Sequence, residues 1–226
     1  MDEPLYLDAC GVYRASQLDA FPWLIHGFGT RNSPGWPGDW RISTVRQIHS
    51  GTVLPAGASG GVIGEGDALI TNALGTRLAI RTADCLPILI ADGRRRAVAA
   101  IHAGWRGTVA GICSNAVRAM MDRFGTEVSD LVAVVGPGIA ECCFEVGPEV
   151  GTRFQTIFPE REDLGGKARI NLAEANSRQL RRIGVPAGQI VRTQLCTCCP
   201  GSAFYSYRRE RDGAGRMVSL IGINET

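Results

Sequence analysis

Residues 97–108 read Ala97-Val98-Ala99-Ala100-Ile101-His102-Ala103-Gly104-Trp105-Arg106-Gly107-Thr108, and the change of character within this stretch sets the expected architecture. Ala97 to Ile101 is an apolar run of strand length. It ends at a histidine, small residues then let the backbone turn tightly, and a helix is predicted to start beyond them. Such a corner places His102 beside a helix N-terminus whose first amides are free, which suits an anion. Arg106 adds a planar guanidinium able to grip phosphate through two parallel hydrogen bonds. The bland alternative has His102 packing in the core and Arg106 pairing with a carboxylate such as Asp84.

Working outward, Ala68-Leu69-Ile70, Leu78-Ala79-Ile80 and Leu86 to Ile90 are further short apolar runs bounded by Gly, Asp or Arg, as expected of buried strands in a mixed sheet. On the other side, Val109, Ile112, Cys113, Ala116, Val117, Met120, Met121 and Phe124 fall at three-and-four spacing. They predict a helix with one buried face that stops at Gly125. Leu131 to Val135 reads as the next strand and runs into the turn Gly136-Pro137-Gly138. Helices are predicted over Pro148 to Phe158 and over Leu172 to Ile183, the second capped by Asn171 with Glu174 three residues on. Strands near Gln189 to Arg192, Ala203 to Arg208 and Met217 to Ile223 close the chain. The first sixty residues, rich in Gly, Pro and Trp around Asn32 to Trp40, read as loop with short strands. The expected fold class is α/β (mixed α+β): a layered mixed β-sheet core flanked by helices, one domain over residues 1–226.

The 226 residues are 45% hydrophobic, enough to bury a full core, and the net charge of +2 is too small for a nucleic-acid footprint. The basic runs Arg94-Arg95-Arg96 and Arg208-Arg209-Glu210-Arg211 are read as solvated turns or edges. No apolar stretch reaches the roughly 20 residues of a membrane span, and Asp2 and Glu3 do not open a signal peptide. The expectation is a cytoplasmic monomer without nucleic-acid or membrane partners. Its eight cysteines should then be reduced, which puts metal and thiol roles ahead of disulfides. Cys10 and Cys113 look like small buried hydrophobes. Cys142-Cys143 and Cys196-Thr197-Cys198-Cys199 are read as packing thiols, with a second metal site as the alternative.

His49, Cys85 and His102 form the one well-separated His/Cys set whose surroundings look built for chemistry, since each sits where an apolar segment gives way to a turn. Two imidazoles and one thiolate without a fourth protein donor would leave tetrahedral zinc one open position, as catalytic zinc requires. Cys85 could instead be a packed small side chain, or a nucleophile activated by His102.

These residues lie in blocks that carry a resemblance. Gln47-Ile48-His49-Ser50-Gly51, Gly66-Asp67-Ala68-Leu69-Ile70-Thr71, Arg81-Thr82-Ala83-Asp84-Cys85-Leu86-Pro87, His102-Ala103-Gly104-Trp105-Arg106-Gly107-Thr108, Val135-Gly136-Pro137-Gly138-Ile139, Phe144-Glu145-Val146-Gly147 and Phe204-Tyr205-Ser206-Tyr207-Arg208-Arg209 resemble, in this order, the bacterial laccase-domain or polyphenol oxidase family. The resemblance spans about residues 22 to 223. It implies a zinc-dependent purine nucleoside phosphorylase acting on adenosine, inosine, guanosine and methylthioadenosine, with adenosine deaminase activity. It also implies that His49, Cys85 and His102 are the zinc ligands. The chain departs from the family pattern at Gly29, where a serine is usual, in the short segment Asn32 to Arg46, and at Asn171, where the family has an acidic residue.

Purine nucleosides and phosphate are accordingly the expected partners. For deamination, Asp84 or Asp67 would relay a proton to the leaving ammonia. For phosphorolysis, Arg106, with Arg46 or Arg81 in reserve, would position the phosphate. Two other classes remain: a copper-dependent polyphenol oxidase, disfavoured because such sites need more histidines than the three here, and a non-enzymatic zinc or nucleoside-binding module. Imidazole suits Cu2+ as well as Zn2+, whereas the thiolate favours zinc.

Overall fold

A computed structural model describes residues 4–38 and 40–225. In chain order its strands are β1 (Leu5–Leu7), β2 (Tyr13–Ala15), β3 (Leu24–Phe28), β4 (Ile42–Arg46), β5 (Val53–Pro55), β6 (Gly61–Glu65), β7 (Ala68–Thr71) and β8 (Arg77–Thr82). They continue as β9 (Leu86–Asp92), β10 (Ala97–Ala103), β11 (Leu131–Val135), β12 (Glu145–Val146), β13 (Ala168–Arg169), β14 (Ile190–Arg192) and β15 (Met217–Ile223). The helices are α1 (Ser16–Asp19), α2 (Trp105–Val109), α3 (Ile112–Phe124), α4 (Pro148–Gly151), α5 (Leu172–Arg182) and α6 (Tyr207–Glu210).

One mixed sheet has the order β1-β2-β3-β15-β8-β4-β6 and the second β14-β11-β9-β10-β7-β5, while β12 and β13 form a small ribbon. The side chains explain the layering. Along β10, Val98 and Ala100 face the first sheet, packing in one cluster with Phe28, Leu78, Ile80 and Ile221. The alternate residues Ala97, Ala99 and Ile101 belong to the opposite cluster, with Ile112, Ala116, Val117 and Met120 of α3 and Leu172, Ala175 and Leu180 of α5. The second sheet is thus covered on both faces, by a sheet and by helices. That is why β9 and β10 are buried at every position and read as unbroken apolar runs. The mixed α/β class expected from the sequence is the one observed.

Several local expectations are corrected. The helix predicted through Val109 to Phe124 is two helices, because Gly111 takes a φ of 76° between them. It does end at Gly125, whose φ is 65° and whose N–H donates to the Met121 carbonyl. The predicted helix Pro148 to Phe158 gives out after one turn and continues as a 3-10 turn, Thr152–Phe154. Ala203 to Arg208 is not a strand: Ser206 accepts a hydrogen bond from the Arg209 N–H and starts α6. Asn171 caps α5 through the Glu174 N–H at 2.8 Å, but the Glu174 carboxylate turns to Arg178, Arg181 and Arg192 rather than back to Asn171. Cys113 is buried as expected, whereas Cys10 is exposed. The opening residues are loop with short strands, as expected: β1 to β5 are three to five residues each.

His26 of β3 is 3% exposed, and its Nε2 accepts the Ala15 N–H at 2.8 Å. Burial, reinforced by the Arg14 charge and only partly offset by Asp19, pushes its pKa from 6.5 down to about 4. Its folded-state value lies below the unfolded one, so its stabilising contribution is complete above pH 6.5 and is lost as pH falls toward 4. At about 1.4 kcal/mol per pH unit, the full loss is about 3 kcal/mol. Urea unfolding between pH 7 and pH 4.5 should show a smaller loss in the His26→Gln variant than in the native chain. Equal slopes would contradict this assignment.

Candidate metal centre and its cavity

The turn after β4 carries His49, the turn between β8 and β9 carries Cys85, and His102 is the penultimate residue of β10. The two sheets therefore deliver three distant segments to one end of the sandwich. One ligand atom from each of His49, Cys85 and His102 lies within 4.8 Å of the others. Cys85 Sγ is 4.0 Å from His49 Nε2, and the two imidazoles meet edge to face with centroids 4.8 Å apart. His102 is buried, Cys85 half-buried and His49 exposed, so the group opens on one side to solvent.

Asp67, fully buried just before β7, organises this end. Its Oδ1 lies 2.7 Å from His102 Nδ1 and accepts the His49 N–H at 3.0 Å. Its Oδ2 accepts the N–H groups of Ile48 at 3.3 Å and Ser50 at 2.5 Å, and the Ser50 hydroxyl at 2.8 Å. Three successive backbone amides thus wrap one carboxylate, which holds His49 at a φ of 59° that a non-glycine residue seldom adopts. Burial opposes ionisation of Asp67, but the hydrogen bonds from His102 and Ser50 outweigh it and bring its pKa to about 2. Burial likewise disfavours charge on His102 and Cys85. Asp67 and Cys85 nonetheless raise His102 to about 9, and the two imidazoles lower Cys85 to about 7. With Nδ1–H donated to the carboxylate, His102 turns Nε2 toward Cys85, the arrangement by which an outer carboxylate orients a metal-binding imidazole.

Gly104 leaves the space this group needs. A Cβ there would stand 2.8 Å from Cys85 Sγ and 3.1 Å from His49 Cδ2. Its φ of −74° and ψ of 171° are open to alanine, so the glycine serves close approach rather than backbone freedom. Gly104→Ala should fold normally and bind metal at this site about tenfold or more weakly, by displacing Cys85. Competition against a chromophoric chelator checks this, and unchanged affinity would contradict it.

The group opens into a cavity of about 600 Å3. Trp105, Ile139, Phe144, Leu172 and Tyr207 line it, together with the guanidinium-bearing Arg81, Arg208 and Arg216 and the carboxylate of Asp84. Asp84 has a φ of 87° and is tied down on both oxygens, by the Thr197 hydroxyl at 2.7 Å and by the Arg208 N–H at 2.6 Å. Gln47 accepts the Arg81 N–H and donates to its carbonyl, both at 2.8 Å, so its side chain acts as a strand partner at the end of β8.

Of the residues singled out in the sequence, His49, Cys85, His102, Asp67 and Asp84 converge here. Arg106 does not line the cavity: its guanidinium stacks over Trp105 at 4.5 Å and the residue is exposed. Arg46 is also outside it, paired with Glu65 at 3.1 Å. Arg81, held in reserve, is inside. Sequence reasoning missed Arg208, Arg216 and Tyr207 as cavity residues, because the segment containing Tyr207 and Arg208 reads as a strand. Ser206, a cap residue at a helix start, was the available signal.

A buried carboxylate orienting one imidazole of a thiolate-and-imidazole group, at the bottom of an aromatic, cation-lined cavity on an α/β sandwich, defines a protein with a candidate mononuclear metal centre. The chain belongs to the family described as multi-copper polyphenol oxidoreductase laccase, whose family model matches residues 33–224. It is 44% identical over 165 residues to a purine nucleoside phosphorylase of Bacteroides thetaiotaomicron, covering 70% of this chain and 61% of that protein. It is 41% identical to adenosine deaminase RL5 of an unknown prokaryotic organism, covering 69% and 61%. The aligned stretch therefore spans about three fifths of the length of these relatives. Among solved structures, YlmD from Geobacillus stearothermophilus superposes with a TM-score of 0.89 at 27% identity, over 99% of this chain and 100% of that one. Among the described residues, no helix is long and apolar enough to cross a membrane.

Proposed function

We propose that the chain is a zinc-dependent purine nucleoside phosphorylase with adenosine deaminase activity. The observation that carries this reading is the meeting of His49, Cys85 and His102 at the base of a cavity lined by both aromatic and cationic side chains. Relatives named purine nucleoside phosphorylase and adenosine deaminase support it. Two imidazoles and a thiolate beside a glycine-made recess fit zinc. When bound, zinc would supply a Lewis acid with one open position.

The rest of the chemistry belongs to the chain's own groups. Trp105, Phe144, Leu172 and Tyr207 offer flat and apolar surfaces against which a purine packs. Arg81, Arg208 and Arg216 give the cavity a cationic wall opposed there by one carboxylate, suited to phosphate. Arg81 is the least committed of the three: it meets Gln47 through its backbone, whereas the guanidiniums of Arg208 and Arg216 donate to backbone carbonyls. Asp84 reaches the cavity and is assigned the proton exchange with substrate. Asp67, fully buried outside the cavity lining and acting through the His49 turn and His102, is a positioning residue.

Copper oxidase chemistry of the multinuclear kind needs more imidazoles. The third histidine, His26, is bonded to Ala15 within the first sheet. A phosphate-dependent release of hypoxanthine from inosine tests the reading, with adenosine assayed in parallel for inosine formation. Oxygen uptake on a phenol without either activity would overturn it.

A further inference from the structure

Cys142 and Cys143 follow the Gly136–Pro137–Gly138 turn, and Cys196 and Cys199 lie more than fifty residues later, yet all four sulfurs come within 4.8 Å of one another. Three of the separations, Cys142 to Cys143, Cys142 to Cys199 and Cys143 to Cys199, are each 3.7 Å. These sulfurs form an equilateral triangle. Zinc holds thiolates at about 2.3 Å in a tetrahedron, which sets the sulfurs about 3.8 Å apart, so the triangle has the size of one tetrahedral face. We propose that Cys142, Cys143, Cys196 and Cys199 form a second, mononuclear zinc site with four sulfur ligands, distinct from the His49–Cys85–His102 group.

The hydrogen bonding at Cys196 suits a thiolate. Cys196 Sγ accepts the Ala140 N–H at 3.4 Å, and the N–H groups of Cys198 and Cys199 are also directed at it. Cys196 and Cys199 have the Cys-x-x-Cys spacing of structural zinc turns, with backbone donors folded back on the first sulfur. Four thiolates around one Zn2+ carry a net charge of −2, and two guanidiniums stand by to offset it. Arg208 donates to the Cys143 carbonyl at 3.4 Å and the Glu145 carbonyl at 3.2 Å, and Arg209 to the Thr197 carbonyl at 2.8 Å and the Cys199 carbonyl at 3.2 Å.

The place of the cluster gives it a purpose. Its two segments are otherwise joined by the Gly138–Cys196 bridge and the hydrogen bond from the Thr197 N–H to the Gly138 carbonyl. One segment leads into Phe144 of the cavity wall, and the other holds Asp84 through the Thr197 hydroxyl. A zinc ion across them locks this wall of the cavity, with all four protein ligands supplied and no position left for substrate. Cys198 lies in the same run but outside the cluster, packed against the core.

Metal analysis of the whole chain, purified without chelators, tests the proposal. Two zinc ions per chain are expected. The Cys85→Ser variant should keep one, with four sulfur neighbours by X-ray absorption, and Cys198→Ser should keep both. Cys142→Ser with Cys199→Ser should lose the sulfur-only ion. Zinc absent from the Cys85→Ser protein, or a disulfide between Cys199 and either Cys142 or Cys143 found by peptide mapping, would overturn the proposal. Should the double variant not fold, the coordination measured in Cys85→Ser decides alone.

Discussion

Cys85→Ala is expected to release the ion from the His49–Cys85–His102 group and to lower turnover of inosine or adenosine by about 10^3-fold or more. The thiolate is the one anionic donor of the three, and its pKa of about 7 keeps it available near neutrality. Removing it leaves two imidazoles as the remaining donors of the group, one of them exposed. A Lewis acid at a reacting oxygen is worth several kcal/mol of barrier, and each 1.4 kcal/mol is a factor of ten in rate. Metal content and activity should fall together and should not recover on adding zinc. Turnover that survives the loss of this ion would refute the metal mechanism. The rival reading, in which Cys85 is a nucleophile with His102 as its base, predicts fast alkylation in metal-free protein and activity without zinc.

Asp67→Asn is expected to cost 10- to 100-fold in metal affinity at this group, although Asp67 is not assigned as a ligand. An asparagine keeps the shape but gives one acceptor oxygen and one donor. Whichever way the amide turns, an NH2 faces donors that Asp67 now satisfies: His102 Nδ1 and the His49 N–H on one side, the Ser50 N–H and hydroxyl on the other. An unsatisfied buried donor costs about 1–3 kcal/mol. The turn that holds His49 in its left-handed conformation should loosen, and His102 should lose the fixed proton that directs its Nε2. Chelator competition measures the affinity. The histidine ring NMR signals report the tautomer, which a purely structural loss of stability would leave unmoved. Native affinity in a folded Asp67→Asn protein would remove Asp67 from the positioning role.

Much of this was legible in the residues. The apolar runs of β9 and β10 announce strands buried on both faces, because a sheet between two layers has no polar side to alternate with. The junction at His102 to Thr108 was readable since strand, turn and helix each leave a local signature. His49, Cys85 and His102 stood out by residue type together with their places where apolar segments give way to turns. The helices that broke early did so for local reasons with long-range consequences, as at Gly111, where one glycine in a periodic run ends α2 and lets α3 start anew.

What the chain by itself determined is therefore its layering and its reactive side chains, because periodicity and chemistry are properties of neighbouring residues. Tertiary structure alone decided which polar groups face one another. Asp67 is engaged by a turn 17 to 19 residues earlier and by His102, 35 residues later. Asp84 is held by Thr197 and Arg208, more than a hundred residues away. Arg106 stacks on Trp105 and is not part of the cavity lining, whereas Arg81, Arg208 and Arg216 are. Such pairings depend on how sheets stack and turns close in space, and no short window of sequence contains both partners.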